Sequence, residues 1–299
     1  MEPGYVGRFA PTPSGPLHLG SAIAAVGSFL QARSRDGQWL LRIDDIDAPR
    51  AVAGGAETII RQLRALGLHW DGQIEHQHSA LEQYSQALET LKTKDLLFEC
   101  ACTRKMAGSG PYNGRCRNGL RAGEQGRSMR VKVGGKPVRF EDSLQGVQHI
   151  DVAREIGDFI VRRADGIFGY HLTCVVDDAR MGVTEVVRGN DLLDSVAPQI
   201  FLQEALGLKR PGYLHLPVVV DARGKKLSKQ HGARSIDGAP SQAVLGIALG
   251  FLGLPVPNDL VGAANGAVLD WATANWAQRE DQCGIGTLTS PAVDAFIAL

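Results

Sequence analysis

The apolar positions fall first into short runs and helical stripes that alternate along the chain. Val6, Phe9 and Ala10 follow Tyr5 in a short run that stops at Pro11-Thr12-Pro13-Ser14-Gly15-Pro16, a dense turn signal. This predicts a strand over 5–10. It is followed by a helix over about 22–33, rich in Ala, Leu and Phe, with Ser21 as its N-cap. A second apolar run at 39–43 predicts a strand that leads straight into Asp44-Asp45-Ile46-Asp47. Ile59, Ile60, Leu63 and Leu66 recur at helical spacing and predict a helix over 56–66. Strand, helix, strand, helix in that order predicts a parallel sheet with helices on both faces.

The pattern changes near Lys94. From Cys100 to about Lys136 the chain is Gly-rich, basic and short of apolar periodicity. Val131, Val133, Val138, Phe140, Val147, Ile150, Val152 and Ile156 are scattered as in short strands, and 159–161 and 183–187 read as strands too. A helix is expected over 195–206 and a strand over 214–220. A loop over 221–231 carries three lysines, and an Ala-rich helix follows over 240–254. The remainder, 255–299, reads as helices joined by Gly/Pro loops. The simplest architecture is α/β. A parallel nucleotide-binding sheet in two halves, 1–94 and 181–239, flanks an insertion at 95–180, and a helical tail occupies 240–299.

Composition adds limits. A chain of 299 residues, 44% hydrophobic and 21% charged, buries a substantial core in one large or two smaller domains. No apolar run approaches the roughly 20 residues needed to span a bilayer. The opening MEPGYVGRFAP has no basic stretch before an apolar core, so no membrane and a cytoplasmic location are expected. Five cysteines, an odd number, argue against a disulfide framework. Three of them, Cys100, Cys102 and Cys116, lie close together and point to a metal. The formal net charge is zero, yet ten basic residues and only Glu124 on the acidic side fall between Arg104 and Arg139. That window is either a phosphate-binding surface or a solvated, mobile basic loop.

A strand that ends in a Pro/Gly turn and feeds a helix N-terminus is a ready phosphate site, because free N–H groups and the helix dipole both favour an anion. His18 and Ser21 sit on that turn, and His18 can donate to phosphate oxygens as charge builds. A structural histidine is the competing role. Gly224-Lys225-Lys226-Leu227-Ser228-Lys229 is a lysine loop able to close over a pyrophosphate. Taken together, the two elements carry a resemblance. Pro13-Ser14-Gly15-Pro16-Leu17-His18-Leu19-Gly20-Ser21 resembles the HIGH signature of class I aminoacyl-tRNA synthetases. Lys226-Leu227-Ser228-Lys229-Gln230 resembles their KMSKS loop. Arg8-Phe9-Ala10-Pro11-Thr12-Pro13-Ser14-Gly15 and Leu41-Arg42-Ile43-Asp44-Asp45-Ile46-Asp47 are similar to the first two strands of the glutamyl and glutaminyl branch. Gly169-Tyr170-His171-Leu172 and Val187-Arg188-Gly189-Asn190-Asp191-Leu192-Leu193 complete the likeness.

The resemblance implies a Rossmann-type catalytic sheet. ATP would be held by His18, Gly20, Ser21, Lys226, Leu227, Ser228 and Lys229, with His18 and Lys229 stabilising charge in the reaction. Arg8, Tyr170 and Arg188 would hold the substrate carboxylates, and Thr12 and Asp44 would meet the α-amino group beside Ala10. A dicarboxylate independently requires cationic donors in fixed geometry, although ordinary ion pairs are the competing role for the two arginines. The family pattern carries Glu where this chain has Asp44, one methylene shorter; Asp45 or a water is then an alternative contact. Mg2+ is expected to accompany ATP, with no acidic motif marking its place.

Cys100-x-Cys102 followed by Tyr112-x3-Cys116 suits tetrahedral zinc, which would fold a loop that has too few hydrophobes. The cluster resembles the zinc element in the inserted domain of glutamyl-tRNA synthetases and their short relatives, with Tyr112 as fourth ligand. His76 or His78 is the alternative. Cys174 and Cys283 read as plain buried residues. The resemblance spans about 5–235, and only about 65 residues follow the lysine loop, too few for the helical domains that read an anticodon in full-length enzymes. The whole chain resembles the glutamyl-queuosine tRNA(Asp) synthetases, most closely at Val175-Val176-Asp177-Asp178 and from Arg188 to Ser195. That likeness implies a monomer that activates L-glutamate with ATP and passes it to queuosine in the anticodon of tRNA(Asp). Its basic insertion would lie on the stem-loop phosphates. A truncated synthetase charging a tRNA 3′ end and a non-catalytic tRNA-binding paralogue are the alternatives, the latter supported only by Asp44.

Overall fold

The computed structural model describes residues 4–219 and 235–276. Strands β1 (Val6–Phe9) and β2 (Gln38–Ile43) run parallel, with Val6 opposite Gln38 and Phe9 opposite Leu41. Parallel neighbours need a crossover, and α1 (Leu19–Arg33) supplies it. Helix α1 is apolar on nearly every side, which places it in the interior: Ala22, Ala25, Val26, Leu30 and Ala32 are fully buried. The helix starts earlier than the periodicity predicted, and His18, not Ser21, is its N-cap. The His18 ring accepts from the Ser21 N–H at 3.2 Å, a function that a serine hydroxyl was expected to perform. Helix α2 (Gly55–Ala65) buries Ile59 and Leu63 as its stripe predicts, and β3 (Glu75–His76) extends β2 in parallel.

Two helices escaped the sequence reading. One is α3 (Leu81–Thr93), which buries Tyr84, Ala87, Leu88 and Leu91. The other is α5 (Tyr170–Arg180), described below. Between them, β4 (Leu97–Cys100), β5 (Ser128–Val131) and β8 (Ile160–Arg162) form a small antiparallel sheet. A single turn of helix, α4 (Arg104–Ala107), lies in the β4–β5 connection. Strands β6 (Val138–Asp142) and β7 (Gly146–Ile150) pair as a hairpin, whereas 152–156 forms a wide helical turn rather than the expected strand.

Strand β9 (Glu185–Gly189) leads through α6 (Val196–Leu206) to β10 (Gly212–Leu216). The two strands are parallel, and β6 pairs in parallel with the other side of β10. Strand β9 also lies beside β1, where the Thr184 N–H donates to the Val6 carbonyl at 2.9 Å. The chain therefore leaves β1 toward β2 on one side and meets β9 on the other. The tail helices α7 (Ser241–Phe251) and α8 (Asn265–Trp276) pack on α1, and Trp276 donates its indole N–H to Gln31 at 2.6 Å. Among the described residues no helix is long and apolar enough to cross a membrane.

Candidate active site

In open α/β sheets, ligands bind where the strand order reverses, beyond the carboxyl ends of the strands. Here that point is the junction of β1 and β9, and a cavity of 670 Å³ opens there. Its wall contains every described residue that the sequence assigned to glutamate or ATP: Arg8, Ala10, Thr12, His18, Gly20, Ser21, Asp44, Tyr170 and Arg188. Lys226, Leu227, Ser228 and Lys229 lie outside the described residues. The chain on either side of them is at the cavity. Val219 lines the wall, and Ser235 is bridged to His18 while the Ile236 N–H donates to the Leu17 carbonyl at 3.0 Å.

The turn between β1 and α1 forms one end of the cavity. Gly15 has φ of 116°, a conformation an L side chain resists. Leu17 is buried and its N–H donates to Gln62 Oε1 at 2.7 Å, which fixes the turn against α2. The first turn of α1 has no acidic residue of its own to compete with an anion for the helix N-terminus. Both His18 ring nitrogens contact Ser21, Nδ1 at its N–H and Nε2 3.1 Å from its hydroxyl.

The other end is a buried ionic network. Arg8, from β1, donates through Nε to Asp178 at 3.1 Å, and Arg42, from β2, donates to Asp44 and Asp178 at 2.7 Å each. Burial alone would raise Asp178, but Arg8 and Arg42 outweigh it and hold the carboxyl at about 2. Asp44 goes the other way: burial, only partly opposed by Arg42, pushes it up to about 6. Arg8 thus forms the ion pair that was its competing role, yet it also faces the cavity. Asp177, next to Asp178 on α5, accepts from Tyr84 at 2.8 Å and Gln77 at 2.9 Å. The N-terminus of α5 puts Tyr170 on the cavity wall, 41% exposed. Gly169 before it allows this placement, because a Cβ there would sit 2.4 Å from the Ile160 carbonyl oxygen. Cys174, one turn on, is buried as expected but also lines the wall; burial pushes its thiol up to about 12.

Arg188 is oriented by two residues that sequence reasoning missed. Its Nε donates to His215 Nε2 at 3.0 Å, and His215 Nδ1 lies 2.6 Å from Asp142. The parallel register of β9 and β10 sets Arg188 opposite His215, and the neighbouring strand β6 ends on Asp142. Burial and the adjacent Arg188 hold the His215 ring below its usual pKa, so it is neutral, donating from Nδ1 and accepting at Nε2. The available signal was a histidine in an otherwise apolar strand.

The sulfur cluster is assembled away from the cavity, on β4 and the loop after it. Cys102 and Cys116 sulfurs are 3.7 Å apart, and the Tyr112 hydroxyl is 3.5 Å from both Cys100 and Cys102. Four ligands about 2.3 Å from a central ion would be about 3.8 Å apart, so the set fits a tetrahedral metal. The Arg130 Nε donates to Cys100 at 3.3 Å. His76 and His78 do not join this cluster; both contact Asp45 instead. Within the basic window Arg115, Arg117 and Lys132 pair with Glu124, Asp158 and Asp95, and Arg130 is buried. Arg104, Lys105, Arg121, Arg127, Lys136 and Arg139 are exposed.

Comparison with known proteins agrees with this geometry. The family model for the catalytic domain of class I tRNA synthetases (E and Q) matches residues 5–107 and 113–243. The chain is 48% identical over 283 residues to the glutamyl-Q tRNA(Asp) synthetase of Aromatoleum aromaticum, covering 92% of this chain and 90% of that one. It is 47% identical over 279 residues to the enzyme of the same name from Thiobacillus denitrificans, covering 91% and 93%. The glutamate–tRNA synthetase of Elizabethkingia anophelis has the same fold, with a TM-score of 0.81 at 22% identity over 98% of this chain and 69% of that one. Match and cavity coincide on the same halves of the sheet, and the chain belongs to the class I tRNA synthetases of the glutamyl and glutaminyl kind.

Proposed function

We propose that the chain activates L-glutamate with ATP and transfers it to queuosine in the anticodon of tRNA(Asp). The observation that carries the reading is the division of one cavity into an anion-binding helix N-terminus and an end where Arg8 and Arg188 stand with the carboxylate of Asp44. A glutamate fits the second end with its carboxylates toward the guanidinium groups and Tyr170, and its ammonium toward Asp44 and Thr12. ATP fits the first, its phosphates on α1 beside His18, Gly20 and Ser21. Relatives 46–49% identical over nine-tenths of the chain carry the name of this activity.

A glutamate α-carboxylate oxygen attacks the α-phosphorus, the bond to the bridging oxygen breaks, and pyrophosphate leaves with its electron pair. A hydroxyl of the queuosine ring then attacks the acyl carbon, loses its proton, and AMP departs. The protein's part is positioning and charge stabilisation, by His18 at the phosphates and Lys229 on the departing pyrophosphate. Mg2+ accompanies ATP as a counter-charge. Zinc on Cys100, Cys102, Cys116 and Tyr112 is structural, folding the loop that carries the basic side chains. The six exposed cations of the insertion grip stem-loop phosphates in a cytoplasmic, monomeric enzyme.

The test is glutamate-dependent ATP–pyrophosphate exchange without RNA, then transfer of labelled glutamate to tRNA(Asp) with and without queuosine. Exchange, with transfer to the modified tRNA alone, is expected. Transfer to the 3′ end of tRNA(Glu) would restore the ordinary synthetase, and no exchange with any amino acid would leave a binding protein. Lys229→Ala is expected to lower exchange by about 100-fold, the scale of a lost transition-state charge contact, with RNA binding kept.

A further inference from the structure

Asp45 follows Asp44 in sequence but is absent from the cavity wall. Its Oδ2 lies 2.7 Å from Nδ1 of His76 and 2.7 Å from Nδ1 of His78, and the two rings are 5.2 Å apart between centroids. The backbone fixes this meeting. His76 pairs with Ile43 where β3 runs beside β2, Asp45 comes just past the end of β2, and the His78 N–H donates to Asp45 Oδ1 at 3.0 Å. Two imidazole nitrogens and a carboxylate oxygen, all within 4.8 Å of one another, therefore converge at the surface. Asp45 is 16% exposed, His76 34% and His78 64%, so the group is held from below and open to solvent above.

We infer that Asp45, His76 and His78 form a second metal site, distinct from the cysteine cluster, for a divalent transition ion of the Zn2+, Co2+ or Ni2+ class. Imidazole nitrogens exclude Mg2+ and Ca2+, which take oxygen ligands, and the absence of thiol sets the site apart from Cys100, Cys102 and Cys116. Ligands about 2.1 Å from one ion stand about 3 Å apart at right angles, so the 2.7 Å spacings need to open by only a few tenths of an ångström. Each ring must present the Nδ1 lone pair, which a shift of its N–H to Nε2 provides without change of charge. One carboxylate with two neutral rings leaves a single negative charge facing the ion, and water completes the coordination. An ion there ties the end of β2, one residue past Asp44, to the turn that precedes α3.

The test is titration of the protein as purified, its cysteine cluster filled, with Co2+. The expected result is one further equivalent that produces weak visible d–d bands with no sulfur charge-transfer band and raises the melting temperature. His78→Ala, an exposed ring whose loss leaves the fold intact, should weaken that equivalent at least about tenfold, consistent with the loss of a metal ligand, and His76→Ala/His78→Ala should abolish it. Pyrophosphate exchange with Mg2+ and no added Co2+ serves as the check that each variant is folded. The inference is overturned if the parent takes up no further equivalent, if His78→Ala binds Co2+ as tightly as the parent, or if the new bands show sulfur ligation.

Discussion

Asp142→Asn tests whether Arg188 is held by the chain that runs through His215. The substitution is isosteric, and Oδ1 keeps its backbone partners, the N–H groups of Leu144, Gln145 and His215 at 3.1, 2.9 and 3.2 Å. Only the Oδ2 position changes, from an acceptor to an NH2 donor facing His215 Nδ1. The buried ring then satisfies that donor only by accepting at Nδ1 and moving its proton to Nε2. There it meets the Arg188 Nε–H, which already points at Nε2 from 3.0 Å. Two donors face each other, and the guanidinium loses its bond to the ring, keeping only the one from Nη2 to the Leu192 carbonyl at 3.1 Å. A hydrogen bond to a charged group contributes about 1.5–3 kcal/mol, and about 1.4 kcal/mol is a factor of ten, so glutamate KM should rise about 10- to 100-fold. The ATP KM should stay within about twofold, because the phosphate end at α1 is a separate part of the wall. Steady-state pyrophosphate exchange at varied glutamate and at varied ATP measures both, and thermal unfolding checks the fold. A glutamate KM within twofold of the parent, in a folded variant, would refute the relay.

Four further outcomes are expected. Asp44, raised by burial to about 6, must ionise to meet an ammonium, so apparent glutamate affinity should fall about tenfold per unit below pH 6 and be flat above it; Asp44→Asn should bind weakly with no such break, and an unchanged profile would remove Asp44 from the site. Because this pKa is above the ordinary 3.8, the folded protein without glutamate takes up a proton between pH 6 and 3.8 that the unfolded chain does not, and this group alone makes the fold more stable as pH falls through that window. Cys116→Ser should release the metal, measured by elemental analysis, and cut transfer to tRNA at least about tenfold while exchange persists, since the cluster has its own small core around Phe98; equal loss of both activities would place the metal in the catalytic unit. Arg121→Glu with Lys136→Glu should weaken tRNA binding and flatten its dependence on log salt by about 0.7 per lost phosphate contact, and an unchanged slope would mean that these exposed cations face water only.

The phosphate end of the cavity is legible in the sequence because its parts are local: turn, cap and helix all lie between Pro11 and Arg33, each with a residue-level signature. Even there the sequence points to Ser21 as the cap, since serine is the commoner choice and the ring geometry of His18 is invisible in one dimension. Helix α3 shows why omission differs from illegibility: Tyr84, Ala87, Leu88 and Leu91 keep full helical spacing. Helix α5 is harder. Its buried face includes Asp177 and Asp178, which any pattern of apolar positions assigns to solvent. The Asp142–His215–Arg188 chain is harder still. Its members come from three strands, and only the register of the sheet brings them together.

The buried aspartates that hide α5 from pattern reading also explain how the carboxylate end is built. A buried ion pair is weak grounds for stability, because desolvation of both partners offsets their attraction. The network under the cavity therefore has to be understood through what it positions. Asp178 takes Arg8 from β1 and Arg42 from β2, and Arg42 passes from Asp178 to Asp44. Two strands and one helix are thus tied at a single carboxylate, and the same helix carries Tyr170 at its start. Removing Asp178 would leave two buried guanidinium groups short of charge and release three wall residues together. Removing Tyr170 would take away one contact and leave the frame standing. The carboxylate end of the cavity is a product of this charge pairing, and Arg8, Arg42 and Asp44 on its wall take their geometry from Asp178, which is not part of the wall.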